Sequence, residues 1–230
     1  MHSLIGIVIG LLLVFRTNTA YDRWWEGRRL FSALSTSISY FSIKLNSCCT
    51  DVLVKTQARN IIKQILRNLS DYLRETNADN VMGHHNKQTK FVCDMLLLIR
   101  DAKLSDRDLN ILEDKLNEIV DISNSFERIK STPIPKAYAL HIKASIFIYL
   151  LSLPFGLFHD LGLWAAAMVM VIFYIVAGIE IISNEIEDPF ADDPNDLPID
   201  TYFKQIKDSM NIIKESVNSE YGKYGKETLK

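Results

Sequence analysis

The chain has 230 residues, of which 23% are charged, and a formal net charge of −2. So even a balance gives no electrostatic footprint for nucleic acid, and no Lys/Arg block interleaved with aromatics stands out. These averages hide a partition, because 1–15 and 144–182 are apolar while 50–130 and 183–230 are polar and charged.

The first apolar segment runs Leu4–Phe15 and is followed by Arg16, Arg23, Arg28 and Arg29. No basic residue precedes it and no small-residue cleavage site follows, so it does not read as a signal peptide. A basic flank of this kind stays in the cytoplasm. Trp24 and Trp25 then fit an interfacial belt, with Arg23 and Arg28 snorkelling or pairing with Asp22 and Glu26. Cys48, Cys49 and Cys93 fall in cytoplasmic regions and predict free thiols rather than a disulfide framework.

The soluble stretch reads as helix throughout. Ala58, Ile62, Ile65, Leu69 and Leu73 share one face at three- and four-residue spacing. Asn77–Lys87, rich in Asn, Gly and His, reads as a loop, with His84-His85 a loop pair lacking ligand-spaced neighbours. A short helix over Phe91–Ile99 is closed by Asp101-Ala102-Lys103. Ser105, with Asp108 three residues on, predicts the N-cap of the next helix. That helix carries a stripe from Leu109 through Leu112, Leu116 and Ile119 to Phe126, which reads as core or subunit contact, with burial between subunits the expectation for an assembly. Thr132-Pro133-Ile134-Pro135 ends it.

Two apolar runs follow, Ala144–Phe158 and Leu161–Ile179, the second with no charge over nineteen residues. As a helix it is roughly 28 Å long, close to a bilayer's hydrocarbon thickness. Joined through His159-Asp160, the two runs predict a transmembrane hairpin, with a buried soluble hairpin as the alternative. Glu180 is then the first residue back in polar surroundings. The fold class is all-α: a polytopic helical membrane protein with a helical cytosolic domain. It divides into 1–49, a membrane helix and its cytosolic extension; 50–136, a cytosolic helical region; 137–182, the hairpin; and 183–230, a cytosolic C-terminal segment.

Lysines flank the hairpin on both sides, at Lys130, Lys136 and Lys143 and at Lys204 and Lys207. With these flanks cytoplasmic, the first segment must start outside the cell. The expectation is a chain preceded by one more transmembrane helix. No phosphate loop, nucleophile elbow or His-Glu metal helix is present, so no enzyme and no cofactor is expected.

Arg16, Asn18, Tyr21, Arg23, Trp24, Trp25 and Glu26 lie in the stretch Phe15–Arg28, which resembles the signature of the bestrophin family, bacterial branch. Glu127-Arg128-Ile129 with Thr132–Pro135, Leu153-Pro154-Phe155-Gly156, and Glu185–Phe190 with Asp193–Pro198 agree with it in order. The resemblance implies a homopentameric channel with four membrane helices per subunit, so that the helix missing here is the first. It places an apolar pore neck at Ile7, Leu11 and Phe15, counted back from Trp24. Those positions share a helix face at i, i+4 and i+8. Gly6 and Gly10 lie on another face, suited to close helix approach.

The implied function is passage of small inorganic ions, anions such as chloride foremost, in a cell membrane (the bacterial inner membrane) with lipid and four further copies as partners. A monovalent cation channel and a non-conducting membrane scaffold are the rivals, because rings of Ile, Leu and Phe carry no charge to select with. Animal members of the family bind calcium after the last helix. Here Asp192, Asp193 and Asp196 keep part of that acidity, but Pro194 and Asn195 break the run. Calcium wants six to eight oxygen ligands, so the remnant reads as turn chemistry and no metal is expected.

Overall fold

No proline interrupts the first 132 residues, and the chain opens on an unbroken helix. A computed structural model describes residues 2–75, 81–191 and 193–227. Among them are seven α-helices and no strand: α1 His2–Cys48, α2 Val52–Arg74, α3 Val81–Asp101, α4 Asp106–Ser131, α5 Lys136–Leu161, α6 Trp164–Glu185 and α7 Ile199–Glu227. At 1.5 Å per residue the 47 residues of α1 reach roughly 70 Å. The all-α expectation holds.

The chain falls into two units. The first joins α1 up to Glu26 with Thr132–Leu197, and so holds α5 and α6. Ile9 and Leu13 of α1 pack on Ile142, Ile146, Leu150 and Leu153 of α5, with Val169, Ile172 and Val176 of α6 alongside. Three helices are long and apolar enough to cross a membrane, within Ser3–Cys48, Lys136–Leu161 and Trp164–Glu187. On α6 only Ala165 and Ser183 are buried, which leaves large apolar side chains such as Met170, Tyr174 and Ile175 exposed. A face of that kind suits lipid or a neighbouring subunit.

The hairpin turn does not lie at His159-Asp160. Both residues belong to the last turn of α5, and the reversal comes at Gly162-Leu163. Gly162 has φ +53° and its N–H bonds the Phe158 carbonyl at 2.9 Å. Polar side chains do not stop a helix; a residue in the left-handed region does, and glycine enters it without penalty.

Of the two α1 glycines expected to admit a neighbour, one does so within the chain. A Cβ at Gly6 would lie 2.5 Å from the Tyr149 hydroxyl and 3.2 Å from its Cζ, whereas Gly10 faces open space. Gly6→Ala should therefore destabilise the protein in detergent by about 1–3 kcal/mol, through overpacking. Tyr149→Leu should relieve that loss, and thermal unfolding of the single and double variants measures it. Equal losses with and without Tyr149→Leu would break the assignment.

The second unit holds Gly27–Ser131 and the chain from Pro198 on. Its core takes Phe31, Leu34, Ile38 and Phe41 from α1, the predicted α2 stripe, Met95 and Ile99 from α3, and Phe203, Ile206 and Met210 from α7. Phe31 sits at the centre, with ring centroids 4.7 Å from Phe126, 4.7 Å from Tyr202 and 5.6 Å from Phe203. The α4 stripe is therefore not an inter-subunit surface. Leu112, Leu116, Ile119 and Phe126 are buried in the chain's own core, because α2 and α3 pack against that face.

Capping follows the sequence. Asp51 accepts from the Leu53 N–H at 2.7 Å, and Ser105 Oγ accepts from the Asp108 N–H at 3.2 Å. Lys103 at φ +50° marks the break between α3 and α4. The three cysteines are free thiols.

The predicted loop Asn77–Lys87 is shorter than expected. Residues 77–80 lie outside the described residues, and α3 is helical from Val81. His84 is thus a helix residue, and it is buried rather than in a loop. Its ring stacks on Tyr72 at 4.4 Å, the Asn68 amide lies 2.9 Å from Nδ1, and Nε2 is buried without a partner. One turn on, Ser123 Oγ donates to Gln88 Oε1 at 3.0 Å. These contacts fix an otherwise polar, glycine-containing segment as helix.

Burial, helped by the neighbouring His85 and Lys87, holds the His84 imidazole below its ordinary pKa against the opposite effect of its hydrogen bonds to Asn68 and Gln88. The folded state then binds fewer protons than the unfolded chain, so stability is full above the unfolded value of about 6.5 and declines as pH falls through it. The thermal midpoint should drop between about pH 7 and 5, and His84→Gln should flatten that slope. An unaltered slope in the variant would show that His84 is not its source.

Candidate functional site

The candidate site is the α1 segment from Ile7 to Glu26 and what holds it. Ile9, Leu13, Arg16 and Ala20 are buried, one helix face at spacings of four, three and four. Ile7, Leu11 and Phe15 lie on other faces and are 67%, 54% and 56% exposed. Leu4, Val8 and Val14 are exposed as well, so α1 presents an apolar surface broader than the three positions. A single chain leaves all of these side chains without a partner surface on their outer side.

Arg16 closes the apolar stretch and is 1% exposed. Its Nη1 lies 3.1 Å from Glu180 Oε1, unaligned for a hydrogen bond, and its Nη2 lies 3.7 Å from Glu187 Oε2. Nη2 also donates to Asn184 Oδ1 at 3.3 Å. Lys143 of α5 joins the same group, with Nζ 3.5 Å from Glu180 Oε1 and 3.3 Å from Asn184 Oδ1. Two cations and two carboxylates meet here, a neutral set that joins α1, α5 and the end of α6. A buried guanidinium requires such partners.

Arg16 is therefore buried among polar groups, and Glu180, the first charged residue after the apolar run, pairs with it there. A signal for this existed in the sequence. Glu180, Asn184 and Glu187 recur at the helical spacings of four and three, the last just past the end of α6, and each is a group that a guanidinium can bind.

Arg23 reaches the backbone of two further segments. Its Nε donates to the Glu187 carbonyl at 2.9 Å and its Nη1 to the Thr132 carbonyl at 2.7 Å. Trp24 Nε1 donates to the Asn195 carbonyl at 3.0 Å, and Asn195 donates to Glu185 Oε2 at 2.8 Å. Tyr21 stacks near both Trp24 and Trp25, with centroids 6.2 and 6.4 Å away. Asn18 is exposed and Glu26 half-buried. The signature residues Arg16, Arg23 and Trp24 thus fasten α1 to the segment that follows α6.

Asp192 lies outside the described residues. Asp196 Oδ2 accepts from the Asp193 N–H at 2.6 Å, and the Asp196 N–H bonds the Asp193 carbonyl at 3.0 Å. Burial first, then Asp193, Asp188 and Glu185, raise the Asp196 pKa despite that hydrogen bond. The pair closes a turn on itself. Among the described residues no group of three or more His, Cys, Asp or Glu could hold a metal ion.

The family described as Bacterial/Fungal Bestrophin protein matches residues 1–212. A voltage-dependent anion channel-forming protein of Nostoc sp. (strain PCC 7120) is 33% identical, over 93% of this chain and 78% of the relative. The voltage-dependent anion channel-forming protein YneE of Escherichia coli (strain K12) is 28% identical, over 89% and 73%. A crystal structure of a bacterial bestrophin homolog from Klebsiella pneumoniae superposes with a TM-score of 0.85, covering 93% of this chain and 86% of that one, at 22% identity.

Proposed function

The chain belongs to the bacterial and fungal bestrophin family, and from that premise we propose that it forms a homopentameric channel for small anions such as chloride. Membership of this family makes it an ion-channel protein and not an enzyme. The proposed setting is a cell membrane crossed several times, with lipid on the exposed faces of α5 and α6.

One observation carries the reading. α1 is divided lengthwise, with Ile9 and Leu13 fixed against α5 while Ile7, Leu11 and Phe15 face outward from the chain. Five copies of α1 around an axis would turn Ile7, Leu11 and Phe15 into three stacked apolar rings. Such a constriction gates by dewetting, since it strips an ion of water and offers no ligand in return. The relatives' names favour anions, and uncharged rings leave selectivity to other parts of the path.

Purified full-length protein in liposomes tests this. A chloride gradient should set the reversal potential, and a potassium gradient at constant chloride should not. A reversal potential that follows potassium would make it a cation channel, and liposomes no leakier than empty ones would make it a scaffold.

A further inference from the structure

Asn68 of α2 decides what the His84 ring can do. Its Nδ2 lies 2.9 Å from His84 Nδ1 and donates to the His84 backbone carbonyl at 3.3 Å. A carbonyl oxygen only accepts, so the Asn68 atom facing both groups is the amide nitrogen, and its two hydrogens serve the carbonyl and the ring. Nδ1 is therefore an acceptor, and the neutral imidazole carries its proton on Nε2.

The contact sits in a closed joint between α2 and α3. His84 is 5% and Tyr72 3% exposed, and their rings stack with centroids 4.4 Å apart. From α4, Ser123 Oγ holds Gln88 one turn along α3. Stacking and burial thus keep Nδ1 turned to Asn68.

Protonation reverses the sense of that contact. An imidazolium donates from both nitrogens, so Nδ1–H would face the Asn68 NH2 group, donor against donor. The buried charge would also lie beside His85 and Lys87 on α3. Two carboxylates border the joint, Glu75 at the end of α2 and Glu127 on α4, and together with burial they raise the Tyr72 pKa. Glu127 lies 3.9 Å from His85 Nδ1, so protonation of His85 would strengthen that pair and hold the joint closed. His84 is the group whose charging loosens it.

We propose that the α2–α3 joint is an acid-sensitive latch, in which protonation of His84 sets its Nδ1–H against the Asn68 amide and frees the start of α3 from α2. The device goes beyond a general loss of stability in acid, because it names where the fold opens first and which residue fixes the direction. It lies within the second unit and stands whether or not the protein conducts.

Hydrogen exchange of the full-length protein in detergent, read by mass spectrometry at pH 7 and pH 5 and corrected for the intrinsic pH dependence of exchange, tests this. Protection over residues 81–90 should fall about tenfold between the two. His84→Gln keeps an acceptor for Asn68 but cannot titrate, so its protection should stay constant. Asn68→Asp is the decisive variant, since a carboxylate accepts from a protonated Nδ1 where an amide nitrogen cannot. Its protection at pH 5 should equal or exceed that at pH 7. His85→Gln should open as the unaltered protein does. No loss in the unaltered protein, an equal loss in His84→Gln, a loss that persists in Asn68→Asp or one that vanishes in His85→Gln would each overturn the latch.

Discussion

Changing Ile7, Leu11 and Phe15 together to Ala should raise single-channel conductance or open probability in planar bilayers, whichever ion carries the current. An ion crossing an apolar ring loses hydration without receiving a substitute ligand, and a narrower ring makes that loss more complete. Cutting side-chain bulk widens the passage and lowers the barrier. Every 1.4 kcal/mol removed from it is about tenfold in rate. Within the chain, the three side chains are exposed and contribute little to the α1–α5 packing, which rests on Ile9 and Leu13. Assembly should therefore survive. Were the three positions instead packed against neighbouring subunits, the same change would open cavities costing roughly 2–5 kcal/mol per large side chain. Unchanged current together with a weaker oligomer would refute the neck.

The second large effect belongs to Arg16. Arg16→Met should abolish recovery of monodisperse full-length protein in mild detergent. The change leaves Glu180 and Glu187 largely buried, with Lys143 within reach of Glu180 alone. Breaking a buried ion pair from one side costs about 3–5 kcal/mol, a large share of a total of roughly 5–15 kcal/mol. Replacing the whole set is a different matter, since apolar residues of similar volume are often neutral in such places. Arg16→Met combined with Glu180→Met and Glu187→Gln should thus recover much of the loss. Arg16→Lys should be intermediate, because an ammonium lacks the fork that spans Glu180, Asn184 and Glu187. A triple variant no better than Arg16→Met would show that the charges are not what that position serves.

Periodicity and capping made most of the helices readable in advance. The α2 stripe from Ala58 to Leu73 and the Ser105 cap of α4 both express local rules, in which spacing and one side-chain oxygen decide the outcome. Length and hydropathy revealed the two apolar runs for the same reason. The failures share a cause too. His84 became helical through Tyr72, Asn68 and the Gln88–Ser123 bond, contacts between elements that a local reading cannot see. The α4 stripe was recognisable as a buried face, but which partner covers it is a tertiary fact. At Arg16 the obstacle was category: a basic residue after an apolar run reads as a topological flank, and the three partners, on α6 and just beyond its end, lie too far along the chain to suggest otherwise. The turn at Gly162 was a smaller error, in which polarity was given more weight than backbone freedom.

The distance between Arg16 and its partners along the chain carries a consequence for how the protein is made. Asn184 follows Arg16 by 168 residues, so at roughly 5–20 residues per second some 8–35 s of synthesis separate them. Throughout that interval α1 must wait at the translocon or in the bilayer with a guanidinium destined for burial and nothing to neutralise it. The long side chain can reach the headgroup layer meanwhile, so α1 should sit shallow at first and settle to its final depth only when α6 arrives. A ribosome stalled before α6 emerges should accordingly leave Arg16 open to water-borne reagents, and release should close it.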